Sequence, residues 1–565
     1  MTDDPAGGSA RGAATVGDVS RLLGAQPRPA GSTAAPGAGA PVTGVTLDSR
    51  RVAPGDLYAA LPGARAHGAR FAGQAAAAGA RLALTDPAGA ADVAAAGLPA
   101  WVVEDPRAVL GEVAALVHGR PGDRLTTVGI TGTNGKTTTA YLVEALLRSA
   151  GWTTGLLGTV ETRVAGERVA SVRTTPEAPD LHALLRRMVD AGVRGCALEV
   201  SSHALALHRV DGLVVDVAVF TNLSQDHLDF HGTVEDYFLA KASLFTPARA
   251  RAAVVAVDAP GGWGARVAQL ASAAGLPVTT VATEDATADA TGRGGDHADG
   301  HGGGAADWTV ADVVAERAGS SFALRHRDGT RLRLRVGLPG RFNVDNAALA
   351  AVAALAAGLD AEQVERGLPA ADGVPGRMQP VGTGAPEPLV VVDYAHTPDA
   401  LERVLATLRA QTPGRLVCLL GAGGDRDRGK RPVMGRVAAT GADVVVVTDD
   451  NPRSEEPAAV RAAVLAGARE AAAAGAVEVL EVPDRRAAVA GALARCSGPQ
   501  DTVLLAGKGH ETGQEVAGVV HPFDDREVAR EALLAWHRDQ DGRAEGSGTG
   551  PVDEDVDVDV RGGRA

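Results

Sequence analysis

The chain has 565 residues, too many for a single hydrophobic core, so three or four domains are expected. Apolar residues make up 45% of it but aromatics only 3%, with Ala and Gly abundant, which points to helices packed through small side chains. A net charge of −14 argues against general nucleic-acid binding, and the scattered Cys196, Cys418 and Cys496 support neither a disulfide framework nor a zinc site and fit a reducing compartment.

The opening stretch MTDDPAGGSARGAATVGDV has no apolar signal-peptide core, and no run approaches the length of a membrane span. A cytoplasmic protein without membrane insertion is expected. Residues 25–41 (AQPRPAGSTAAPGAGAP) read as a Pro/Gly/Ala linker or a long flexible loop. LTTVGIT (125–131) is a short β-branched run ended by glycine, and the TTTAYLVEALLRSAG after it reads as an amphipathic helix. Residues 284–307 lack hydrophobic periodicity and read as a disordered surface insertion; solvated low complexity outweighs metal binding by its His and Asp residues. Further strands are DVAVFTNL (216–223), LVVVDYA (389–395), RLVCLLGAG (415–423), DVVVVTD (443–449) and TVLLAGKG (502–509). Near-continuous Val/Leu runs between Ala-rich helical segments predict parallel sheets buried on both faces. The expected domains are 1–123, 124–342 and 343–540, with LPGRFNVDNAALAAVAALAAG (338–358) as the second joint, and 541–565 as a disordered acidic tail.

TGTNGKTTT (131–139) follows a strand and opens a helix, the setting a phosphate-binding loop requires. Gly132 and Gly135 let backbone N–H groups approach phosphate oxygens, helped by the helix N-terminus. Lys136 is suited to the outer phosphates and the Thr137 hydroxyl to Mg²⁺. The strict Walker spacing wants glycine where Ile130 stands, with Gly129 one residue earlier, so the match is to a variant. A glycine turn that merely caps a structural helix is the competing reading, and the Gly-Lys-Thr-Thr run disfavours it.

CALEVSSHAL (196–205) puts Glu199 at the end of an apolar strand, and NLSQDHLDFHG (222–232) brings Asp226, His227, Asp229 and His231 together after another. Strand ends are where ligands bind in open α/β sheets. Glu199 is an oxygen donor suited to Mg²⁺. His227 reads either as a second metal ligand or as ordinary polar structure, and Lys241 of DYFLAKASLF as a snorkelling surface lysine.

Taken together these segments resemble the Mur ligase family, in its branch that adds the third residue of the peptidoglycan stem peptide. GTNGKTTT, LEVSSHAL, NLSQDHLDFHG, LPGRFNVDNAALA, VPGRMQ, VDYAHTPDAL, GAGGDRDRGKRP, TDDNPRSEEP and AGKGHE occur in the family's order, within residues 42–536. The resemblance implies an α/β fold of three domains, with a central P-loop parallel-sheet domain and a Rossmann-like C-terminal domain. It implies an ATP-dependent ligase working through an acyl-phosphate, with two Mg²⁺ ions and a monomeric protein. By carry-over, Gly132, Thr133, Asn134, Gly135, Lys136, Thr137 and Thr138 bind the nucleotide phosphates. Thr137 and Glu199 hold the first metal, and His227 with a carbamylated Lys241 serves the second. Arg377 resembles a γ-phosphate contact, and Asn346, Asp393 and His396 resemble nucleotide contacts.

The implied acceptor is UDP-N-acetylmuramoyl-L-alanyl-D-glutamate. VTLDSRRVAPGDLYAALPG (45–63) resembles the uridine-binding segment through Ser49, and Thr174, Thr175, Ser201 and Arg209 resemble contacts to the muramoyl peptide. Leu207 stands where relatives commonly carry a polar Gln, which puts one substrate hydrogen bond in doubt. Lysine and diaminopimelate differ by one carboxylate, so selecting the latter needs a cation aimed at it, and a guanidinium fork fits best. Arg453, in the DNPR run that marks diaminopimelate-adding members, fills that role, against the competing reading of a turn with an exposed Arg. Arg426, Asp450, Asn451, Pro452, Gly507 and Glu511 complete the resembling pocket, which predicts meso-diaminopimelate as the added amino acid. A lysine-adding relative, a folylpolyglutamate-synthase-like ligase and an inactive nucleotide-binding protein are the alternatives.

Overall fold

A computed structural model describes residues 14–31, 33–63, 66–169, 173–258, 261–284, 306–316, 318–473, 475 and 477–546. Most of the predicted insertion, and residues 547–565 of the predicted acidic tail, lie outside them. The chain divides into two compact units, Met1–Val374 and Pro375–Ala565. Among the described residues no helix is long and apolar enough to cross a membrane.

The first unit opens with a four-stranded parallel sheet in sequence order, Val45–Thr46, Leu57–Ala60, Leu82–Thr85 and Ala100–Val102. Its side chains alternate between two cores. Leu57, Ala59, Leu82 and Leu84 pack with the helices Val16–Leu23 and Pro106–Val117, while Tyr58, Ala60 and Ala83 pack with Ala72–Ala77 and Ala90–Ala95. The segment 25–41, expected to be a free linker, is tied to this sheet. Arg28 and Ala100 exchange backbone hydrogen bonds of 2.7 and 3.0 Å, and Ala38 and Ala40 accept from the first turn of the helix Val16–Leu23. Its composition carries no signal for this because the segment contributes only backbone groups to these bonds.

The same unit contains an eleven-stranded sheet. Its parallel centre runs Val278–Ala282, Ala250–Ala256, Val215–Phe220, Thr126–Thr131, Gly195–Glu199, Thr154–Leu157. Trp308–Glu316 joins in parallel, and antiparallel ribbons then extend both ends. The helix Lys136–Ser149 buries ten residues against it. The helix Arg341–Ala356 buries eleven of its 16 residues in the same core. The domain boundary placed at 342 therefore cuts ahead of a helix that belongs to the first unit, whose all-round apolar face can only be satisfied inside a core.

The second unit is a six-stranded sheet in the order Gln379–Val381, Leu389–Asp393, Thr502–Ala506, Leu416–Leu420, Val444–Val447, Glu478–Glu481, parallel except for the first strand. Alternate residues of its Val/Leu runs face opposite layers. Val391, Cys418, Val445 and Leu504 pack on the helices Pro398–Gln411, Lys430–Gly441 and Pro457–Ala472. Val390, Val417, Val444 and Val503 pack on Arg485–Leu493 and Asp525–Gly546. Cys196, Cys418 and Cys496 are buried, and none forms a disulfide among the described residues.

Candidate active site

In the first unit the buried strand Thr126–Thr131 ends at Gly132 and the helix starts at Lys136. Ile130, at the strict Walker glycine position, is a buried strand residue, so the loop is the short turn 132–135. Two glycines are sterically required. Gly132 has φ 151° and a Cβ there would overlap the Thr221 hydroxyl; Gly135 has φ 85° and a Cβ would overlap the Asn346 carboxamide. Asn346 thus lies directly against the loop, its Nδ2 donating to Asn343 Oδ1 at 3.2 Å.

The loop is pinned from its far side. The Thr133 and Asn134 amides, expected among the phosphate donors, donate instead to the Asn222 carbonyl and side chain at 2.9 and 3.0 Å. The Thr133 hydroxyl bonds Tyr237 at 3.1 Å. Helix geometry leaves the first-turn amides, Thr138 among them, pointing out of the N-terminus toward the loop. The Lys136 ammonium donates to the Gly132 and Thr133 carbonyls at 2.9 Å each.

Lys241 departs from the snorkelling surface lysine that its local sequence suggests. It is 1% exposed, donates to the Gly132 carbonyl at 2.7 Å and lies 4.5 Å from the Tyr237 ring centroid. Burial, and then the Lys136 charge, hold its pKa well below the usual lysine range. His227 packs edge-on against the same Tyr237 ring, with centroids 6.1 Å apart, and faces Asp226 at 3.4 Å. The Asp229 side chain lies outside the described residues, and His231 turns to Ser202 at 3.0 Å.

Glu199, 1% exposed, ends the strand beside the loop strand. Its carboxylate accepts from the Thr137 hydroxyl at 2.9 Å, and from the Thr159 amide and hydroxyl at 2.7 and 3.1 Å. Its backbone carbonyl accepts from the Thr175 hydroxyl at 2.9 Å, which lies 3.4 Å from Ser201 Oγ. Thr174 reaches the same set through Thr159 at 3.0 Å. Arg209 follows, 3.5 Å from the Thr175 carbonyl and 3.0 Å from Glu177. Ser49 sits in the N-terminal sheet domain, bonded to Gln74 at 2.9 Å.

A hard cation such as Mg²⁺ takes few protein oxygens and completes its shell with water and phosphate. Thr137 and Glu199 fit that demand: a buried carboxylate and a hydroxyl already aligned at the loop. Among the described residues no group of three or more His, Cys, Asp or Glu converges as a metal site.

In the second unit Arg377 stacks over Tyr394, with Cζ 4.8 Å from the ring centroid, and its buried Nε has no hydrogen-bond partner among the described residues. The buried Asp393 accepts from the Met378 and Ala395 amides at 2.6 and 2.8 Å. Burial pushes its carboxyl up against those bonds and the Arg377 charge. His396 is exposed and held by its ring to the Tyr394 carbonyl at 2.8 Å.

The loops after Val444–Val447 and Thr502–Ala506 meet in a buried polar cluster. Asn451 Nδ2 donates to Glu511 at 2.7 Å. Lys508, absent from the sequence-derived set, is fully buried at its centre. It donates to Asn451 Oδ1 at 3.0 Å and to Glu511 at 3.3 Å, and lies 3.6 Å from Asp450. Burial pushes the Asp450 carboxyl up, opposed by Arg485 and Lys508. Gly507 donates to the Asp393 carbonyl at 3.1 Å, which links this cluster to the Asp393 strand. Arg453, after Pro452, has φ 53°. The Arg453 guanidinium donates to the Gly424 carbonyl at 2.7 Å and faces Glu515 at 3.5 Å, while Arg426 is exposed on the same Gly-rich loop. Lys508 could have been found as the central residue of GKG between two pocket positions; Glu515 has no sequence signal.

An α/β chain with sheets of four, eleven and six strands and a short glycine loop opening a buried helix has the architecture of a Mur ligase. The Mur ligase catalytic domain is matched over residues 41–118, the Mur ligase middle domain over 130–355 and the glutamate ligase domain over 376–509. The chain belongs to the Mur ligase family. It is 53% identical over 500 residues to the UDP-N-acetylmuramoyl-L-alanyl-D-glutamate--2,6-diaminopimelate ligase of Streptomyces coelicolor, covering 88% of this chain and 94% of that protein. It is 46% identical to the UDP-N-acetylmuramyl-tripeptide synthetase of Leifsonia xyli, over 88% and 92%. A solved structure of a UDP-N-acetylmuramoyl-L-alanyl-D-glutamate--2,6-diaminopimelate ligase superposes with a TM-score of 0.64 at 34% identity, over 88% of this chain and 96% of that one. Folylpolyglutamate synthase of Mycobacterium tuberculosis, at 21% identity and a TM-score of 0.52 over 71% and 92%, shares the fold alone.

Proposed function

We propose that this protein is an ATP-dependent amide ligase that joins meso-diaminopimelate to UDP-N-acetylmuramoyl-L-alanyl-D-glutamate, in the cytoplasm and as a monomer, for peptidoglycan precursor synthesis. The observation that carries the reading is the dual use of Glu199. Its carboxylate takes the Thr137 hydroxyl of the phosphate loop, and its carbonyl takes the Thr175 hydroxyl of the acceptor segment. On this reading phosphate donor and carboxylate acceptor meet across one residue, as phosphoryl transfer between them demands.

In the reaction the acceptor's carboxylate oxygen attacks the γ-phosphorus of ATP, releasing ADP. The diaminopimelate amine then attacks the acyl carbon, a proton leaves the nitrogen, and the tetrahedral adduct expels phosphate. Lys136 neutralises phosphate oxygens at the loop, with Gly132, Thr133, Asn134, Gly135, Thr137 and Thr138 shaping the cradle. Two Mg²⁺ ions would be held by Thr137 and Glu199 and by His227 and carbamylated Lys241; when bound they offset charge on the phosphate oxygens. The depressed pKa of Lys241 supports its assignment, since only a neutral amine adds to CO₂, losing a proton to become a carbamate. Asn346, Arg377, Asp393 and His396 are assigned to the nucleotide, and Ser49, Thr174, Thr175, Ser201 and Arg209 to the acceptor.

The pocket formed by Asp450, Asn451, Pro452, Gly507 and Glu511, with Arg426 beside it, is assigned to the amino acid, and Arg453 to its distal carboxylate. Phosphate release from ATP with the UDP-linked dipeptide and a panel of diamino acids tests the whole reading. Turnover with meso-diaminopimelate at least about 100-fold more efficient than with lysine is expected, from a charge-assisted bidentate pair. Equal turnover with lysine would refute the role of Arg453, and no turnover with any amino acid would refute the ligase reading.

A further inference from the structure

The strand Thr502–Ala506 runs into Gly507, Lys508 and Gly509, and both glycines have positive φ, 109° and 53°. A Cβ on Gly507 would lie 2.9 Å from Asp450 Oδ2, so the bare backbone lets the chain pass close over that carboxylate. Lys508, next in the chain, is fully buried. Its carbonyl accepts from the Glu511 amide at 3.0 Å, a turn that brings the Lys508 ammonium and the Glu511 carboxylate together.

Where the donors of a buried cation point separates two roles for it. A cation kept for the fold bonds backbone carbonyls or an acid of the core. Arg485 does this at the same strand end: it is buried, donates to the Ala506 carbonyl at 3.1 Å and forks onto the buried Asp525 at 2.8 and 2.7 Å. Lys508 donates instead to two side chains of the pocket, Asn451 Oδ1 at 3.0 Å and Glu511 Oε2 at 3.3 Å. Asn451 Oδ1 accepts as well from the Glu515 amide at 3.0 Å, which leaves Nδ2 to donate to Glu511 Oε2 at 2.7 Å. Lys508 thus acts on Glu511 twice, directly and by setting the face of the Asn451 carboxamide. Both bonds end on Oε2, which leaves Oε1 for a ligand on a side chain that is 31% exposed. A carboxylate clamped by one oxygen keeps the other in a fixed place, as a directed, charge-assisted bond to an ammonium requires.

We infer that Lys508 is a positioning residue for amino-acid recognition: it clamps Glu511 through Oε2, directly and by way of Asn451, so that Oε1 meets an ammonium group of the incoming amino acid. The inference rests on the ligase reading for the identity of that amino acid. For stability alone a methionine of similar volume serves as well as a buried lysine. Both acceptors keep a partner without it, Asn451 Oδ1 the Glu515 amide and Glu511 Oε2 the Asn451 carboxamide. Lys508→Met is therefore expected to fold.

The test measures steady-state constants for all three substrates in Lys508→Met, Glu511→Gln and the double variant, below each protein's melting temperature. In Lys508→Met, KM for meso-diaminopimelate is expected to rise about tenfold, with KM for ATP and for the UDP-linked dipeptide within about twofold. Lys508→Gln, shorter but still a donor, should raise it only about threefold. Because Lys508 acts through Glu511, the double variant should be no more than about twofold worse than Glu511→Gln alone. An unchanged KM for diaminopimelate, a loss shared equally by all three substrates, or penalties that multiply in the double variant would overturn the proposal and leave Lys508 a packing residue. Should Lys508→Met fail to fold, Lys508→Gln is judged by the same split between substrates. Absence of wild-type turnover with any diamino acid would refute the ligase reading and this inference with it, whereas wild-type turnover with an unselective Lys508 loss would refute the inference alone.

Discussion

Lys241 is the residue whose local sequence says least and whose surroundings say most. Its neighbours DYFLA and ASLF make it look like a lysine stem laid over apolar surface, yet the amine is buried beside a second ammonium. The folded state therefore binds fewer protons at this site than the unfolded chain does, between the depressed pKa and the ordinary lysine value of about 10.4. Stability consequently rises with pH across that window, and a Lys241→Met variant should flatten the rise in denaturant titrations. The carbamate assignment makes activity dependent on CO₂. Stripping bicarbonate should lower turnover reversibly, and Lys241→Ala should lose roughly 100-fold or more in kcat, restored in part by short carboxylates. Insensitivity of both to added bicarbonate or carboxylate would remove the carbamate assignment. Lys136, Thr137 and Glu199 were legible because a glycine turn and a strand end advertise them. The central place of Lys508 in its polar cluster was not, because Asn451, whose side chain it meets, is 57 residues away.

The phosphate loop owes its shape to elements far from it in sequence. Strand-to-helix chemistry could be read directly from β-branched residues followed by Gly-Thr-Asn-Gly-Lys, and the Val/Leu runs gave the parallel sheets because a strand covered on both faces needs no polar alternation. The use of the Thr133 and Asn134 amides was not readable, since it depends on Asn222 arriving from the end of Val215–Phe220, the neighbouring strand in the sheet but 88 residues on in the chain. Gly135 exposes this dependence to test. Its φ of 85° costs a residue with a Cβ roughly 1–2 kcal/mol, and the Asn346 carboxamide occupies the space a methyl would take. Gly135→Ala should therefore raise KM for ATP about tenfold or more and leave the acceptor dissociation constant within about twofold. An unchanged KM for ATP would mean that this turn does not hold the nucleotide.

Over the whole molecule the apolar cores decide where the chain divides. The clusters under the four-stranded and eleven-stranded sheets draw only on residues up to Val374, and those of the six-stranded sheet only on Met378 to Leu533. The sequence put the joint near 342 because LPGRFNVDN looks like a turn opening a new helix, which it is. What it could not say is which core that helix fills. Ala347 to Ala354 are buried around the full circumference, and an Ala-rich helix has no polar stripe to mark its outer side. A fragment ending at 342 would lose this helix and expose the face of Lys136–Ser149 on which it packs. Fragments 14–374 and 375–546 should each unfold in one cooperative transition by circular dichroism, whereas 14–342 should aggregate or melt broadly. A cooperative, soluble 14–342 fragment with an unchanged melting temperature would show that the helix belongs energetically to the second unit.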